Sequence, residues 1–202
     1  EFQNNTTGTG SGQGLYVGNS TSNIGYLWNY ANDALVFATN NTERLRIDSG
    51  GRILIGHTVS QDVYTTSTLQ IQGSTAATST LSLLGQGRSP YLSLGATGSG
   101  SLGGVVAVSA NDRLGQLTFC GADGTDVNTH SCSVSGYCDG SVSGNAVPGR
   151  LVFKTSTGAS ELERMRIDSV GMTGVRTAVP RATLHVKAHG NGWEGGLLLE
   201  DN

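Results

Sequence analysis

One stretch of this chain is written twice, and that repetition restricts its fold more than any other feature. Leu35-Val36-Phe37-Ala38-Thr39 returns as Leu151-Val152-Phe153-Lys154-Thr155. Glu43-Arg44-Leu45-Arg46-Ile47-Asp48-Ser49 returns as Glu163-Arg164-Met165-Arg166-Ile167-Asp168-Ser169, identical at six of seven positions. A glycine follows each copy, at Gly51 and Gly171, and then a further apolar run, Thr68-Leu69-Gln70-Ile71 or Thr183-Leu184-His185-Val186. The order is kept while the offset drifts from 116 to 120 to 115, as small insertions in turns produce. A repeat of this size marks one supersecondary unit used more than once.

The unit reads as β-structure. Successive strand side chains alternate between faces, so Leu45 and Ile47 (Met165 and Ile167 in the second copy) are expected on an apolar face. Arg44, Arg46 and Asp48 are expected on the opposite one, free to form cross-strand or cross-chain ion pairs. Ser49-Gly50-Gly51 then turns the chain and Arg52-Ile53-Leu54-Ile55-Gly56 returns as the second arm of a hairpin. Between the copies, Thr80–Leu83, Tyr91–Leu94, Gly104–Val108 and Leu114–Cys120 have strand patterning, the last running into an Asp123-Gly124 turn. The chain divides at 1–72, a first repeat with aromatic-rich N-terminal strands, 73–150, an intervening β-rich segment, and 151–202, the second repeat.

Short strands set among 31 glycines and 44 Ser and Thr bury little apolar surface per residue, and a lone hairpin is marginal in water. Symmetric association of identical chains would cover the open edges and faces. The pattern thus points to an all-β oligomer without fixing the number of chains. Net charge is −3 with no basic cluster, which argues against nucleic acid as a partner. No apolar run approaches the length of a membrane span, so no membrane insertion is expected. The start, Glu1-Phe2-Gln3, lacks the basic and apolar regions of a signal peptide and reads as an internal cut from a longer chain.

Little in the sequence looks like reaction chemistry. Gly98-Ser99-Gly100-Ser101-Leu102-Gly103 has dinucleotide-loop spacing, but no βαβ unit surrounds it. His57, His130, His185 and His189 show no metal-ligand pattern, and Cys120, Cys132 and Cys138 lack Cys-x-x-Cys spacing, so neither metal nor cofactor is expected. Three small buried thiols are the simplest reading of the cysteines, with a Cys132–Cys138 disulfide left open. The acidic residues sit mostly in the repeat or beside turn glycines, giving no catalytic carboxylate pair by sequence alone. Asp123-Gly124-Thr125-Asp126 has oxygen ligands but not the spacing of a calcium loop, so a plain turn is expected. Tyr26, Trp28 and Tyr30 alternate onto one strand face near Asn23, Asn29 and Asn32. They are the best candidates for receptor contact, with core or interface packing as the alternative.

Three blocks give the chain a family resemblance. Leu35–Gly56 is similar to a pattern in which a Phe-x-Thr strand leads into Glu-Arg-Met-Arg-Ile-Asp and a Gly-Ile-Gly-Thr-like strand. A second block runs Asp112–Phe119, Asp123-Gly124, Cys138-Asp139-Gly140, Pro148–Phe153 and Glu163–Ser169. The third is Gly195–Asn202. Together they resemble the repeat region of bacteriophage tail fibres and tail spikes, of the kind followed by an endosialidase-type intramolecular chaperone. One departure is Thr173-Gly174-Val175-Arg176-Thr177, which stands where the family has Gly-Ile-Gly-Thr. The resemblance implies an elongated, intertwined homotrimer of short strands and hairpins. Glu43, Arg44, Arg46, Ile47 and Asp48, with Glu163, Arg164, Arg166, Ile167 and Asp168, would then be its repeat and trimer-packing residues. It further implies a virion location, extracellular in use, with other tail proteins and a host glycan or protein receptor as partners. The expected function is structural and host-attaching, without enzymatic activity. A glycan-depolymerising tail spike module and a cellular surface adhesin or filament protein are the alternatives.

Overall fold

The structure is a computed structural model that describes residues 14–19, 22–158 and 160–188. The Gly195–Asn202 block and His189 lie outside the described residues. The chain forms two compact units, 1–84 and 85–202. The described residues are strand and loop apart from one 3-10 turn, Ala76–Thr78. The fold is all-β, in open sheets.

In the first unit, β1 (Leu15–Asn19) and β2 (Gly25–Asn29) make a two-stranded antiparallel ribbon. β3 (Leu35–Thr39), β4 (Thr42–Ile47) and β5 (Ile53–Ile55) follow as an antiparallel meander. After a short β6–β7 ribbon (Asp62–Val63, Thr65–Thr66), β8 (Leu69–Ile71) returns parallel to β5. The second unit repeats this plan with β11 (Gly149–Ser156), β12 (Glu161–Ile167), β13 (Thr173–Val175) and β14 (Leu184–Val186), the last again parallel. Here the preceding hairpin, β9 (Arg113–Gly121) and β10 (Thr129–Cys138), joins the same sheet, giving the order β14-β13-β12-β11-β10-β9. That sheet runs without a break across residues 150 and 151.

Local chemistry explains the repeat. Asn40 and Asn41, at φ 50° and 54°, supply the two positive φ values of a type I′ turn, which suits the twist of a two-residue hairpin. In the second copy a longer turn replaces it, the insertion behind the change in offset. Asp48 and Asp168 build the next turn in the same way. Each carboxylate Oδ1 accepts two backbone N–H groups, from Gly50 and Arg52 or from Val170 and Met172, at 2.8–3.1 Å. Gly51 and Gly171, at φ 79° and 87°, take the left-handed position that a side chain would strain. β13 keeps the register of β5 although Thr-Gly-Val replaces Ile-Leu-Ile, so the departing sequence still pairs as its counterpart does.

The two faces of each meander differ. Leu35, Phe37, Leu45, Ile47, Ile53 and Ile55 share one face by register. Leu151, Phe153, Met165, Ile167 and Val175 do so in the second copy. Among the described residues no second layer seals these faces: Phe37 is 44% exposed, Leu69 54%, Leu117 48% and Leu184 56%. Among the described residues the buried apolar side chains are Leu54, Val108, Cys138, Val152 and Pro180. Val152 pairs with Ser135 on the other face. There Lys154 extends past them to donate to the Tyr137 hydroxyl at 2.7 Å, so its alkyl stem covers the pair.

Three expected strands do not form. Thr80–Leu83, Tyr91–Leu94 and Gly104–Val108 have no ladder partner, and Leu81, Tyr91 and Val105 stand 65%, 85% and 95% exposed. Alternation favours a pleat, but a strand also needs a neighbouring backbone to satisfy its N–H and C=O groups. Among the described residues of the chain that neighbour is missing.

Candidate functional site

The aromatic stripe forms as its spacing requires. β2 pairs Trp28 with Tyr16 and Tyr26 with Gly18. The lack of a side chain at Gly18 lets the Tyr16 ring lean toward Tyr26, where a Cβ would meet it at 2.5 Å. Ring centroids then step along one face: Tyr16 to Tyr26 at 5.5 Å, Tyr26 to Trp28 at 6.0 Å, and Trp28 to Tyr30 at 5.9 Å. Tyr16 belongs to the same aromatic-rich stretch by sequence, and the β1–β2 register adds it to the face that alternation assigns to Tyr26, Trp28 and Tyr30. Trp28 and Tyr30 are 53% and 44% exposed, so within the chain this stripe is not a core. On the reverse face Val17 faces Leu27, both exposed.

Polar groups gather at the end of this ribbon. Asn29 Oδ1 accepts the Ala31 N–H at 3.2 Å, Asn29 Nδ2 donates to the Asp33 carbonyl at 3.2 Å, and Asp33 Oδ1 accepts the Ala34 N–H at 2.7 Å. Together with Asn32, Ile47 and Ser49 they line an open cleft of about 290 Å³. The described lining of this cleft carries no aromatic ring, and alternation places Asn29 on the face of β2 opposite Trp28, so the ladder and the cleft are separate features of the ribbon.

The charged motif is built differently from the alternation rule. A bulge opposes Ala38 to Glu43 and Phe37 to Leu45, leaving Arg44 as the extra residue. The second copy bulges at Arg164. Such a bulge brings Glu43 onto the same face as Arg46. Each pair is bidentate, Nε to Oε1 at 2.5 Å and the second nitrogen to Oε2 at 2.7 Å, identically for Arg166 and Glu163. Arg44 and Arg164 instead donate to Thr39 and Thr155 at 3.0 and 2.8 Å. Asp48 turns to Arg52, at 2.7 Å. The expected cross-strand or cross-chain pairs are therefore made inside one strand or across one turn, and Ile47 and Ile167 lie on the apolar face.

In the second unit Asp139 joins three segments. Arg150 donates to it at 2.9 Å, the Ser169 N–H does so at 2.9 Å, and Arg150 also lies over the Tyr137 ring at 5.0 Å. Asp123 accepts the Thr125 and Asp126 N–H groups and the Thr129 hydroxyl, so its oxygens are engaged in its own turn. Cys132 and Cys138 lie six residues apart on one strand, roughly 20 Å at ~3.3 Å per residue. That is beyond the ~7 Å a disulfide spans, and all three thiols are free. Burial and then the Glu161 charge push the Cys120 thiol up, against thiolate formation. No group of three metal-binding side chains is found among the described residues.

Four carboxylates are held below their ordinary range. Glu43 is lowered by the Arg46 hydrogen bonds, Asp48 by the Arg52 N–H and then the Arg52 side chain, and Asp123 by the Thr125 and Asp126 N–H groups. For Asp139, burial acts upward and is outweighed by Ser169 and Arg150. Each binds its proton more weakly folded than unfolded. The stability it contributes is complete above the unfolded value, near pH 4, and is lost as pH falls through the lower folded value. We expect Tm to drop steadily below about pH 4 and the drop to be shallower in Asp48→Asn. An unchanged slope in thermal melts would show that Asp48 contributes nothing.

No protein-family model matches this chain, and no curated protein matches it. Among solved structures the chain is similar to the carboxy-terminal domain of the bacteriophage T5 L-shaped tail fibre. That likeness has 17% identity and a TM-score of 0.37, and covers 91% of this chain and 74% of that one.

Proposed function

We propose that this chain is a non-enzymatic, structural segment of a viral tail fibre that assembles as a homotrimer and contributes to host attachment. The open apolar faces carry the reading. A soluble chain that leaves Phe37, Leu69, Leu117, Phe119 and Leu184 about half exposed on its sheets has surface that another layer is needed to cover. Copies of itself supply that layer by symmetry. The choice of three chains, the virion setting and the neighbouring tail proteins as further partners rest on the motif resemblance, Glu43–Ser49 and Glu163–Ser169 foremost. The bidentate Glu–Arg pairs serve within this scheme to fix each meander while its other face packs.

Light scattering on the purified chain tests it. A mass of 3 × 20.8 kDa, about 62 kDa, is expected, and a well-folded species at 20.8 kDa would overturn it. The aromatic ladder is the proposed receptor contact, with a glycan as the class its exposed rings suit. Trp28→Ala is expected to weaken binding to host cells at least tenfold, about 1.4 kcal/mol. Its Tm should stay within a few degrees, because the ring is half exposed. Unchanged binding by cell-adsorption assay would remove the ladder from the receptor site, and a collapse in Tm would assign it to packing.

A further inference from the structure

The two repeats have the same strand order but not the same pairing. A hairpin precedes the meander in each: β1–β2 before β3, and β9–β10 before β11. In the second unit β10 lies along β11, with Val134 opposite Phe153 and Ser135 opposite Val152. In the first unit β2 does not join β3, and the ribbon and the meander remain separate sheets. Among the described residues no strand pairs with the outer edge of β3, where its equivalent is filled, and none pairs with the outer edge of β2.

The backbone shows which groups wait there. Asp48 N–H donates to the Arg52 carbonyl and Gly56 N–H to the Arg44 carbonyl, so residues 44, 46 and 48 direct their backbone groups toward β5. In an antiparallel ladder the alternate residues face the other way. Leu45 and Ile47 therefore bond Phe37 and Leu35, which leaves the N–H and C=O of Val36 and Ala38 pointing outward. Their counterparts Val152 and Lys154 are directed outward from β12 by the same pattern, since Asp168 donates to Met172 and Arg176 to Arg164. Those residues meet Ser135 and Ser133 of β10. The β3 edge, Leu35-Val36-Phe37-Ala38-Thr39, has no charge and no proline, the devices that keep an edge from pairing.

From this mismatch between the repeats we infer that β3 is a strand acceptor for β2 of a second copy of this chain. The chain's own β2 lies in a separate sheet from β3, and the link 30–34 between them is tied at its ends by Asn29 and Asp33 as described above. Both strands are five residues long. Passing each hairpin to the next copy closes after a rotation and leaves no such edge open. Pairing uses only backbone groups, so the aromatic face of β2 stays free. The inference rests on the self-association proposed above and names the surface through which it occurs.

A photo-crosslinking residue at Leu27, on the β2 face away from the rings, tests it in the assembled protein prepared from mixed ¹⁴N and ¹⁵N chains. Crosslinks from position 27 to residues 35–39 in mixed-isotope peptide pairs are expected. Pairs of one isotope only, meaning that β2 folds onto its own β3, would overturn the inference, and so would an assembled protein without β3 crosslinks. Val36→Pro removes one outward N–H and is expected to raise the concentration needed for assembly at least tenfold. Val36→Thr, which keeps that N–H, should assemble at the wild-type concentration. Assembly of both at wild-type concentration overturns the edge pairing while leaving self-association intact. A wild-type chain that stays at 20.8 kDa defeats the reading beneath it.

Discussion

Phe37→Asp is expected to abolish the proposed assembly: the variant should elute as single chains near 20.8 kDa, partly unfolded, at concentrations where the proposal has the parent chain associated. Phe37 lies on the apolar face with Leu35, Leu45 and Ile47 and is 44% exposed within one chain. If the chain worked alone, an aspartate there would project into water and alter stability by no more than about 0.5 kcal/mol. If another copy covers the face, the same change removes a packed ring, about 3–5 kcal/mol by analogy with Phe→Ala. It also places an unpaired carboxylate in an apolar contact. The two cases differ by several kcal/mol, and light scattering with a thermal melt separates them. A variant that assembles normally would show that this face is not an interface. Asp123→Ala, in an exposed turn, is the matched control and should assemble normally.

Asp139→Ala should lower the stability of the second unit by about 3 kcal/mol, the largest loss expected from a single substitution within one chain. Asp139 and Arg150 are 15% and 11% exposed and 2.9 Å apart. Removing the carboxylate leaves the guanidinium mostly enclosed without its counter-ion, the case in which breaking a pair costs most. It also frees the Ser169 N–H, which anchors the β12–β13 turn. Asp139→Asn keeps an acceptor for that N–H and loses only the charge, so it should fall between the two. Denaturant unfolding gives both values. Equal stability of Asp139→Ala and the parent would mean that the junction is held by the strands alone.

Most of the fold is legible in the repeat. Two meanders, their turns at Gly51 and Gly171, and the trailing strands at Leu69–Ile71 and Leu184–Val186 all follow from the duplicated apolar pattern. Sequence reasoning went astray where local geometry interrupts the alternation. The bulge at Arg44 and Arg164 has no composition signal, yet it decides that Glu43 faces Arg46 and that Arg44 reaches Thr39. Alternation places Asp48 on a strand face, although an Asp followed by Ser-Gly-Gly is also the signature of a carboxylate that caps its own turn. Tyr91–Leu94 and Gly104–Val108 were legible as extended chain but not as unpaired. Pairing depends on which backbone lies alongside, and alternation is silent about that. The aromatic ladder was legible as far as Tyr30, while Tyr16 joins it only through the β1–β2 register.

The parallel return of β8 onto β5, and of β14 onto β13, has a consequence for how such a chain changes over generations. β3, β5 and β8 all point one way, so the polypeptide enters and leaves a repeat travelling in the same direction, with the crossover carrying it back to the starting end before its last run. A repeat is therefore a cassette with matched polarity at its two ends. A duplicated or deleted cassette thus leaves unchanged the direction in which the chain runs out of it.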